Sequence, residues 1–481
     1  MIDATVVGAG PNGLAAAVTL ARAGLQVRLV ERADTVGGGM RSAELTLPGH
    51  LSDVCSAVHP AALASPFFRA FGLTQRVDFV IPELSYAHPL DGGRAGLAWR
   101  DLERTAEGLG PDGDAWRRLF APILEHLDGV VDFTGSQLLR VPRDPVATVT
   151  YGLRVLEQGT GVGRLRFADA TAPAMLAGVA AHAGRPVPSL PAAGAGLLLA
   201  AHAHARGWGY PRGGSQAIAE ALASDFLAHG GRLDLGVMVR SRADLEPSRA
   251  ILLDTSARFL DEFAGDALPA RYRRRLAGYR YGVGAAKVDF ALSSPVPWEA
   301  EAVRLAPTVH LGGTAGAISR AERLPHKHAV AARPYVLLCQ PSVLDPTRAP
   351  DGHHMVWAYI HVPRGSSFDP TETVTAQIER FAPGFRDLVL ASSAHSARQL
   401  AEYNPNYLGG DILGGALSLT QLLRRPVTSP TPWRTPVEGL YLCSAATPPG
   451  PAVHGMNGWY AATLALRDVF GIRHLPSLGA S

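Results

Sequence analysis

Apolar and polar positions follow strand-like and then helix-like patterns from the start of the chain. Residues 5–7 form a short β-rich run, residues 14–23 follow a helical pattern that stops at Gly24, and residues 27–30 form a second apolar run. A strand, a helix and a strand in this order predict a βαβ unit whose two strands lie parallel in one sheet.

The same patterns return far along the chain. Residues 216–229 predict a helix, residues 232–239 and 250–254 predict strands, and a strand at 440–443 precedes a helix at 455–470. An N-terminal βαβ unit and a C-terminal strand–loop–helix often combine into one nucleotide-binding domain. We therefore predict that the substrate domain is inserted between them.

The intervening segments predict different structure. Strand-like runs at 285–291, 335–340 and 354–362 indicate a second sheet, and residues 112–133 indicate a helix. Residues 191–205 form an apolar segment rich in Ala, Leu and Gly. A buried helix is the simpler interpretation of that segment, and a lid or membrane-dipping element is the alternative.

Three glycines follow the first predicted strand with G-x-G-x-x-G spacing, namely Gly8, Gly10 and Gly13. The first permits a tight turn, the second lets the backbone approach a pyrophosphate, and the third lets the helix pack closely on the strand. The N-terminus of the predicted helix presents free N–H groups and the positive end of the helix dipole, which favour phosphate. Glu31 ends the second strand and is placed to accept hydrogen bonds from ribose hydroxyls. We predict a bound dinucleotide.

A second glycine cluster, Gly37-Gly38-Gly39 followed by Arg41, comes just after the second predicted strand. It resembles the GG-R/T element of large FAD enzymes, in which a second backbone turn and a cation complete the pyrophosphate site. NAD-binding Rossmann domains usually continue directly into another βα unit. The cluster therefore favours FAD, and a flexible surface loop with an incidental arginine is the alternative.

Composition narrows the classes of function. The chain has 481 residues, 47% of them apolar and 18% charged, which is typical of a globular protein of two connected domains. A net charge of +3 does not favour nucleic acid as a partner. Cys55, Cys339 and Cys443 are far apart in the sequence, so dithiol chemistry is not expected. We expect the protein to lie in a reducing cytoplasm. No signal peptide and no transmembrane segment are expected, while peripheral membrane contact and the oligomeric state are left open.

The C-terminal stretch 440–462 carries the second strong signal. An apolar strand runs into a turn rich in Ser, Thr, Pro and Gly, and a helix begins between His454 and Asn457. A helix N-terminus aimed at a flavin stabilises the negative charge that develops on reduction. Together with the N-terminal motif, this stretch resembles the phytoene desaturase-like branch of the FAD-dependent amine oxidase and carotenoid desaturase superfamily. Within it, the chain is similar to bacterial phytoene dehydrogenase-like proteins and to the animal pyridine nucleotide-disulphide oxidoreductase domain-containing protein 2.

The resemblance implies non-covalent FAD and assigns residues to its two ends. The positions that match the ADP half are Gly8, Gly10, Pro11, Asn12, Gly13, Glu31, Arg32, Gly38, Gly39 and Arg41, with Val239 on the strand near adenine. Those that match the flavin end are Ser444, Val453, His454, Gly455 and Met456. Ser444 stands where many relatives carry an aspartate, so a carboxylate contact to the ribityl chain is not expected here.

The predicted fold class is therefore α/β, with a Rossmann-like FAD-binding domain assembled from N- and C-terminal segments and an inserted α+β substrate domain. The predicted FAD-binding domain comprises residues 1–80, 206–260 and 436–481. The predicted substrate-binding domain comprises residues 81–205 and 261–435.

Three residues are candidates for catalysis, each with a simpler alternative. Lys287 resembles the lysine that some amine oxidase relatives place near the flavin, or else forms a salt bridge. His454 stands where the flavin-facing helix begins and acts on the flavin or substrate, or else caps the helix. His59 faces the substrate or is a buried structural histidine. The remaining histidine pairs lack accompanying carboxylates or cysteines, so no metal site is predicted.

The resemblance implies an FAD-dependent oxidoreductase that dehydrogenates an apolar substrate such as a polyene or isoprenoid-like molecule, with oxygen or a quinone as acceptor. Phe67, Phe68 and Phe71 lie on one face of a predicted helix, which is typical of an apolar substrate pocket. Packing in the protein core explains their spacing equally well. The alternatives are a redox-neutral flavin-dependent isomerase, an amine oxidase with Trp459 and Tyr460 as distant candidates for an aromatic cage, and a non-catalytic lipid- or partner-binding protein of the same fold.

Overall fold

A computed structural model describes residues 2–479 of the chain. The strands are β1 Ala4–Val7, β2 Val27–Val30, β3 Ser42–Glu44, β4 Leu51–Asp53, β5 Phe79–Val80, β6 Leu84–Leu90, β7 Arg94–Trp99, β8 Tyr210–Pro211, β9 Arg232–Asp234, β10 Ala250–Leu253, β11 Gly284–Leu292, β12 Thr308–Leu311, β13 Val336–Cys339, β14 His354–Val362, β15 Val389–His395 and β16 Leu440–Leu442.

The α-helices are α1 Pro11–Arg22, α2 Pro60–Ala64, α3 Pro66–Phe71, α4 Leu73–Arg76, α5 Leu102–Gly108, α6 Gly113–Glu125, α7 Leu127–Thr134, α8 Pro145–Gln158, α9 Thr171–Ala181, α10 Leu190–Ala205, α11 Gln216–Ala228, α12 Ala257–Ala264, α13 Ala270–Ala277, α14 Ala315–Arg323, α15 Thr371–Glu379, α16 Ala397–Tyr403, α17 Leu419–Leu423 and α18 Met456–Phe470. Among the described residues, no helix has both the length and the apolar character needed to cross a membrane.

A parallel five-stranded sheet joins the two ends of the chain, in the order β16-β10-β1-β2-β9. Its three central strands are buried along their whole length, so their sequences are continuous apolar runs rather than alternating ones. Helices α1, α11 and α18 cover one face with a core of small Ala and Leu side chains. The predicted α/β fold with a Rossmann-like sheet is confirmed.

A second sheet of seven strands has the order β15-β11-β14-β13-β12-β6-β7 and is antiparallel except where β12 runs alongside β6. Strands β11 and β14, the second and third from one edge, pair over nine residues. Apolar clusters pack on both faces of this sheet. Helices α5 to α10 contribute to a further buried cluster beside it.

Several predicted elements differ from the observed ones. The helix predicted over 112–133 is divided into α6 and α7 at His126, whose φ of −110° is not helical. The strand predicted over 232–239 ends at Asp234, because Gly236 adopts a φ of +70° and turns the chain. The segment at 191–205 is the largely buried helix α10, so the membrane-dipping alternative for it is wrong.

Candidate functional site

One cavity of about 1220 Å³ connects the glycine motif to the inserted segments. Gly10 and Glu31 line it beside the parallel sheet, His454 and Met456 line it where α18 begins, and Leu198 of α10 lines it farther into the inserted segments. Pockets for a single small molecule usually span roughly 300–1,000 Å³. The cavity therefore has room for a dinucleotide together with a second molecule.

The glycine motif forms a turn that only glycine fits. Gly8 follows β1 with a φ of +98°, and a Cβ on it would lie 2.7 Å from the carbonyl oxygen of Asp254. A Cβ on Gly13 would lie 1.9 Å from the carbonyl oxygen of Gly8, which excludes any side chain. Gly10 precedes α1 and has no side chain with which to cap that helix. Pro11 and Asn12 therefore present the open N-terminal end of α1 to the cavity.

Asp254 holds this turn through a hydrogen bond, and it is a functional residue that no sequence motif identified. Its Oδ2 accepts a hydrogen bond of 2.8 Å from the Gly13 N–H. Burial raises the pKa of Asp254 to about 7, the Gly13 N–H opposes that shift, and nearby Glu31 adds to it. The signal in the sequence was an acid directly after the apolar strand β10.

Glu31 and Arg41 form a pair at the edge of the same cavity. Glu31 accepts hydrogen bonds from the N–H groups of Ala9 at 2.8 Å and Ala33 at 2.9 Å. Arg41 contacts the Glu31 carboxylate at 3.1 Å and donates to the hydroxyl of Tyr403 at 3.3 Å. Burial lowers the pKa of Arg41, but Tyr403 and Glu31 offset that effect, so the net shift is upward and the cation persists.

The second glycine cluster lies directly against the first. A Cβ on Gly38 would lie 3.0 Å from the Cα of Gly10, and a Cβ on Gly39 would lie 2.5 Å from the hydroxyl oxygen of Tyr407. Gly38 and Gly39 both line the cavity. Arg32 lines it from an exposed position and donates to the Tyr403 carbonyl at 2.6 Å.

Val239 lines the cavity without belonging to a strand. The chain leaves β9, turns at Gly236, and is held beside β2 by a hydrogen bond of 2.9 Å from the Val237 N–H to the Glu31 carbonyl. Val239 therefore lies in an extended segment beyond the sheet, close to the predicted ribose-binding acid.

The loop between β16 and α18 forms the other polar wall. Ser444, Val453, His454 and Met456 line the cavity. The buried Asn457 amide donates to the carbonyls of Thr447 at 2.8 Å and Pro448 at 3.1 Å, which fixes this loop. Gly455 and Gly13 are not among the lining residues. Gly455 instead permits close packing, since a Cβ on it would lie 2.5 Å from the Phe67 ring.

His454 holds the start of α18. Its Nδ1 accepts a hydrogen bond of 3.1 Å from the Met456 N–H, and its carbonyl accepts one of 2.6 Å from the Ser65 hydroxyl. Burial lowers the pKa of His454 to about 4, and the nearby Gly450 backbone partly opposes this. The side chain is therefore a neutral imidazole in the cavity wall at neutral pH.

His59 also lines the cavity and is neutral. Its Nε2 lies 2.8 Å from the Ser215 hydroxyl, which joins loop 54–59 to the start of α11. Burial lowers the pKa of His59 to about 4, with Asp53 opposing and Arg348 adding to the shift. A structural contact thus accounts for one ring nitrogen of this catalytic candidate.

Lys287 does not line the cavity. Its Nζ donates to the carbonyls of Asp53 at 3.0 Å and Val54 at 2.9 Å, and it contacts the Asp289 carboxylate at 2.9 Å. These three contacts match the three donors of an ammonium group. The lysine therefore links β11 to loop 54–59 without reaching the cavity.

The part of the cavity between the inserted segments is largely apolar, and the two histidines of these segments that line it, His182 and His202, are kept neutral by burial, which lowers their pKa to about 3 and about 4. It is lined by Tyr151, Val155, Leu190, Leu198, Leu337, Tyr359 and Leu417, which we call the chamber. The acidic residues that line the cavity are Glu31, Asp254 and Glu262, and Glu31 and Asp254 lie at the parallel sheet. No group of three or more potential metal ligands is present within residues 2–479.

Two aromatic groups singled out from the sequence pack elsewhere. Phe67, Phe68 and Phe71 are buried in the core that α1 and α18 share, so they do not form the predicted apolar substrate pocket. Trp459 and Tyr460 contact that same core and do not line the cavity. Their places on α3 and α18 explain the burial, because these helices cover the parallel sheet.

Comparison with known proteins agrees with this architecture. A family model described as an NAD(P)-binding Rossmann-like domain matches residues 6–71. The fold is mixed α/β with a Rossmann-like nucleotide-binding domain. The chain is 26% identical to the pyridine nucleotide-disulfide oxidoreductase domain-containing protein 2 of Rattus norvegicus, over 97% of this chain and 94% of the relative.

Solved oxidases share the fold over nearly the whole chain. A triple mutant of putrescine oxidase matches with a TM-score of 0.65 and 16% identity, covering 98% of this chain and 99% of the other. Cyclohexylamine oxidase from Brevibacterium oxydans matches with a TM-score of 0.57 and 15% identity, covering 98% of each chain.

Proposed function

We propose that this protein is an FAD-dependent oxidoreductase that dehydrogenates an apolar organic substrate. The observation that carries the proposal is the single cavity, which joins the glycine motif, the start of α18 and the apolar chamber. A dinucleotide cofactor and an apolar substrate would thus share one continuous cavity. Oxygen or a quinone is the proposed final acceptor.

The residues that line the cavity fit FAD at both ends. The close approach of Gly38 to Gly10 leaves bare backbone where a pyrophosphate requires it, and Pro11 and Asn12 at the start of α1 line the cavity there. Glu31 and the extended segment at Val239 would hold the adenosine, and Ser444, His454 and Met456 would hold the flavin. When bound, FAD supplies the acceptor for two electrons and a proton from a substrate C–H bond.

The chain's own residues orient the reactants and exclude water. The N-terminal end of α18 presents the positive end of its dipole to the cavity, where negative charge is stabilised. Neutral His454 and His59 add hydrogen-bonding groups without adding charge. We propose that Lys287 is a positioning residue, which fixes loop 54–59 through its carbonyl contacts.

An apolar substrate is favoured over an amine by the charges around the chamber. A buried cationic amine is stabilised by a nearby carboxylate, whereas Glu31 and Asp254 lie beside the glycine motif. The third acidic residue of the lining, Glu262 of α12, is exposed and pairs with Arg258. The ring centroids of Trp357 and Tyr359 are 5.5 Å apart at 75°. A ligand held between two parallel rings needs about 7 Å between them, so this pair does not form such a cage.

We also propose the domain limits given by the sequence: 1–80, 206–260 and 436–481 for FAD, and 81–205 and 261–435 for the substrate. They are supported by the parallel sheet, whose strands all come from the first three segments.

The test is to mix the FAD-loaded protein anaerobically with polyenes, isoprenoid alkenes and amines in separate samples. The flavin absorbance is then followed over time, and its loss reports reduction of the flavin. We expect an apolar alkene to bleach one equivalent and the amines to leave the spectrum unchanged. Leu198→Trp, which fills the chamber, should slow bleaching without releasing FAD. Leu227→Trp, on the exposed surface of α11, is the matched control. Bleaching by amines alone would overturn the apolar assignment.

The same experiment separates the other functions. Many anaerobic turnovers of substrate without an acceptor would identify a redox-neutral isomerase. A protein that stays colourless after FAD is added would identify a non-catalytic binding protein of this fold.

A further inference from the structure

Two histidines bring polar groups to the largely apolar part of the cavity. His182 directly follows α9, and His202 lies in the last turn of α10. Both line the cavity, and the ring centroid of His182 is 5.4 Å from that of Trp208, which lines it too. Neither histidine belongs to the glycine motif or to the loop before α18, so the proposed cofactor does not account for them.

His182 is paired with a second histidine from the seven-stranded sheet. Its Nε2 lies 2.8 Å from Nε2 of His310. His310 of β12 stands opposite Leu337 of β13, and Leu337 stands opposite Tyr359 of β14. Residues directly opposite one another share a face of the sheet, and Leu337 and Tyr359 line the chamber. The histidine pair therefore lies at the chamber wall.

Both rings of the pair are neutral. Burial lowers the pKa of His182 to about 3, and nearby His361 adds to the shift. Burial also lowers the pKa of His310 well below its ordinary value, with His182 and His88 adding. A neutral imidazole has one N–H donor and one acceptor nitrogen, so one ring of the pair donates and the other accepts.

The far nitrogen of His310 decides which ring donates. Nδ1 of His310 is buried and has no hydrogen-bond partner within residues 2–479. Because a buried N–H is rarely left without an acceptor, the proton of His310 belongs on Nε2, which donates to Nε2 of His182. The hydrogen-bond pattern thus assigns the proton of His182 to Nδ1, the ring nitrogen left to face the cavity.

His202 presents a second donor by the same reasoning. Its Nδ1 is buried and meets no partner among the described residues, so its proton belongs on Nε2. Burial lowers the pKa of His202 to about 4, and nearby Arg206 adds to the shift. The Tyr151 hydroxyl of the chamber, by contrast, already donates to the Gly194 carbonyl at 2.5 Å. Two N–H groups without positive charge are therefore available to a ligand.

We propose that His182 and His202 select a substrate that is largely apolar and carries a neutral oxygen able to accept a hydrogen bond, as a ketone does. This inference rests on the proposed function and narrows its substrate class from hydrocarbons to oxygenated molecules. A hydrocarbon in the chamber would displace water from both N–H groups and leave them unpaired, which disfavours its binding.

A charged carboxylate is a poorer match than a neutral oxygen. It would accept from the same N–H groups, but a buried anion also requires a nearby cation. The arginines in the lining are Arg32, Arg41 and Arg240, which lie with Glu31 and Val239 at the nucleotide end of the cavity. The chamber therefore favours an uncharged acceptor.

The test compares two probes of the same shape, nonan-2-one and 2-methylnon-1-ene, in which a methylene group replaces the carbonyl oxygen. Their affinities for the FAD-loaded protein are measured by isothermal titration. His182→Phe and His202→Phe should each lower ketone affinity roughly five- to tenfold and leave alkene affinity unchanged or higher. His182→Asn, whose amide nitrogen takes the place of Nδ1, should recover most of the loss. His474→Phe, at an exposed position outside the cavity lining, should alter neither affinity.

The infrared spectrum of the ketone bound to wild-type protein gives a second measurement that needs no variant. A hydrogen bond weakens the carbonyl bond, so its stretching frequency should fall below the value in hexane. A ketone that does not bind, an unshifted frequency, or histidine variants that weaken both probes equally would overturn the proposal.

Flavin content is recorded for the same samples. Ketone selectivity that depends on His182 in a protein without FAD would reject the proposed function and leave this inference standing. A protein that holds FAD but does not distinguish the two probes would reject this inference alone.

Discussion

The Oδ2 atom of Asp254 accepts a hydrogen bond of 2.8 Å from the backbone N–H of Gly13, although the two residues are 241 positions apart. The contact joins the end of β10 to the first turn of α1. It satisfies one of the amides that a helix N-terminus leaves unpaired. The loop predicted to bind pyrophosphate is therefore held by a buried acid from the middle of the chain.

Replacing Asp254 by Asn should make the protein without cofactor more stable at alkaline pH. The folded pKa is about 7, whereas the ordinary value is 3.8. Below about pH 4 both states hold the proton and Asp254 adds no pH dependence. As pH rises from 4 to 7 only the unfolded carboxyl ionises, so stability falls. The difference corresponds to roughly 4 kcal/mol above pH 7.

Urea unfolding of wild type and Asp254→Asn from pH 4 to 8 measures this effect. We expect a gain of roughly 2–4 kcal/mol at pH 8 that shrinks toward pH 4. Asp114→Asn, whose side chain is 74% exposed, should show no such trend. An equal difference at every pH would contradict the buried ionisation.

Gly13→Ala should destabilise the protein and abolish nucleotide binding. The new Cβ would lie 1.9 Å from the Gly8 carbonyl oxygen, so the glycine turn must move. Forced overpacking costs roughly 1–3 kcal/mol or more. Gly108→Ala, in helix α5 with open space at its Cβ, is the matched control and should be neutral or slightly stabilising. Thermal melts with and without FAD give both results. A Gly13→Ala protein that binds FAD normally would show that the motif does not approach the cofactor.

His454→Leu should weaken the start of α18, because it removes the acceptor for the Met456 N–H. Loss of such a cap costs about 1 kcal/mol, and His454→Asn, which retains an acceptor, should recover most of it. The folded pKa of about 4 lies below the ordinary 6.5. The stability from the neutral ring is therefore complete above pH 6.5 and is lost as pH falls toward 4. NMR titration of the imidazole checks this, and protonation near pH 6.5 in the folded protein would be the contrary result.

Lys287→Met should lower stability by roughly 3–5 kcal/mol, because it leaves the buried Asp289 carboxylate without its cation. The double change K287M and D289L should restore much of the loss. Flavin reduction by substrate should stay within about threefold of wild type in the double variant, since Lys287 does not line the cavity. Stopped-flow reduction measures this. A stable double variant with a rate lowered by orders of magnitude would show that the lysine serves the chemistry.

Sequence patterns predicted the strands, helix starts and turns whose conformation depends on residues close together in the chain. β2 and β14 have the predicted limits, and α1 begins three residues earlier than expected because Pro11 is a favourable first helical residue. The glycine spacing predicted a turn that the structure contains, since the steric limits at Gly8 and Gly13 concern nearby backbone.

Contacts between distant segments were not predictable in this way. Asp254 meets Gly13, and Tyr403 meets Arg41, only because the sheet order and the inserted segments bring them together. Lys287 resembles the lysine that some amine oxidase relatives place near the flavin, but β11 directs its side chain to the Val54 carbonyl in loop 54–59 and not to the cavity. The exposed residues of α8 have the same spacing as a buried helix face, so periodicity alone does not show which side meets solvent.

The most direct measurement is the FAD content of the purified protein, by absorbance and by isothermal titration of any cofactor-free fraction. We expect one FAD per chain, held without a covalent bond and released on denaturation. We also expect Gly13→Ala to take up none and Gly108→Ala to take up one. A wild-type protein that remains colourless and shows no heat of FAD binding would contradict the assignment of FAD to this cavity.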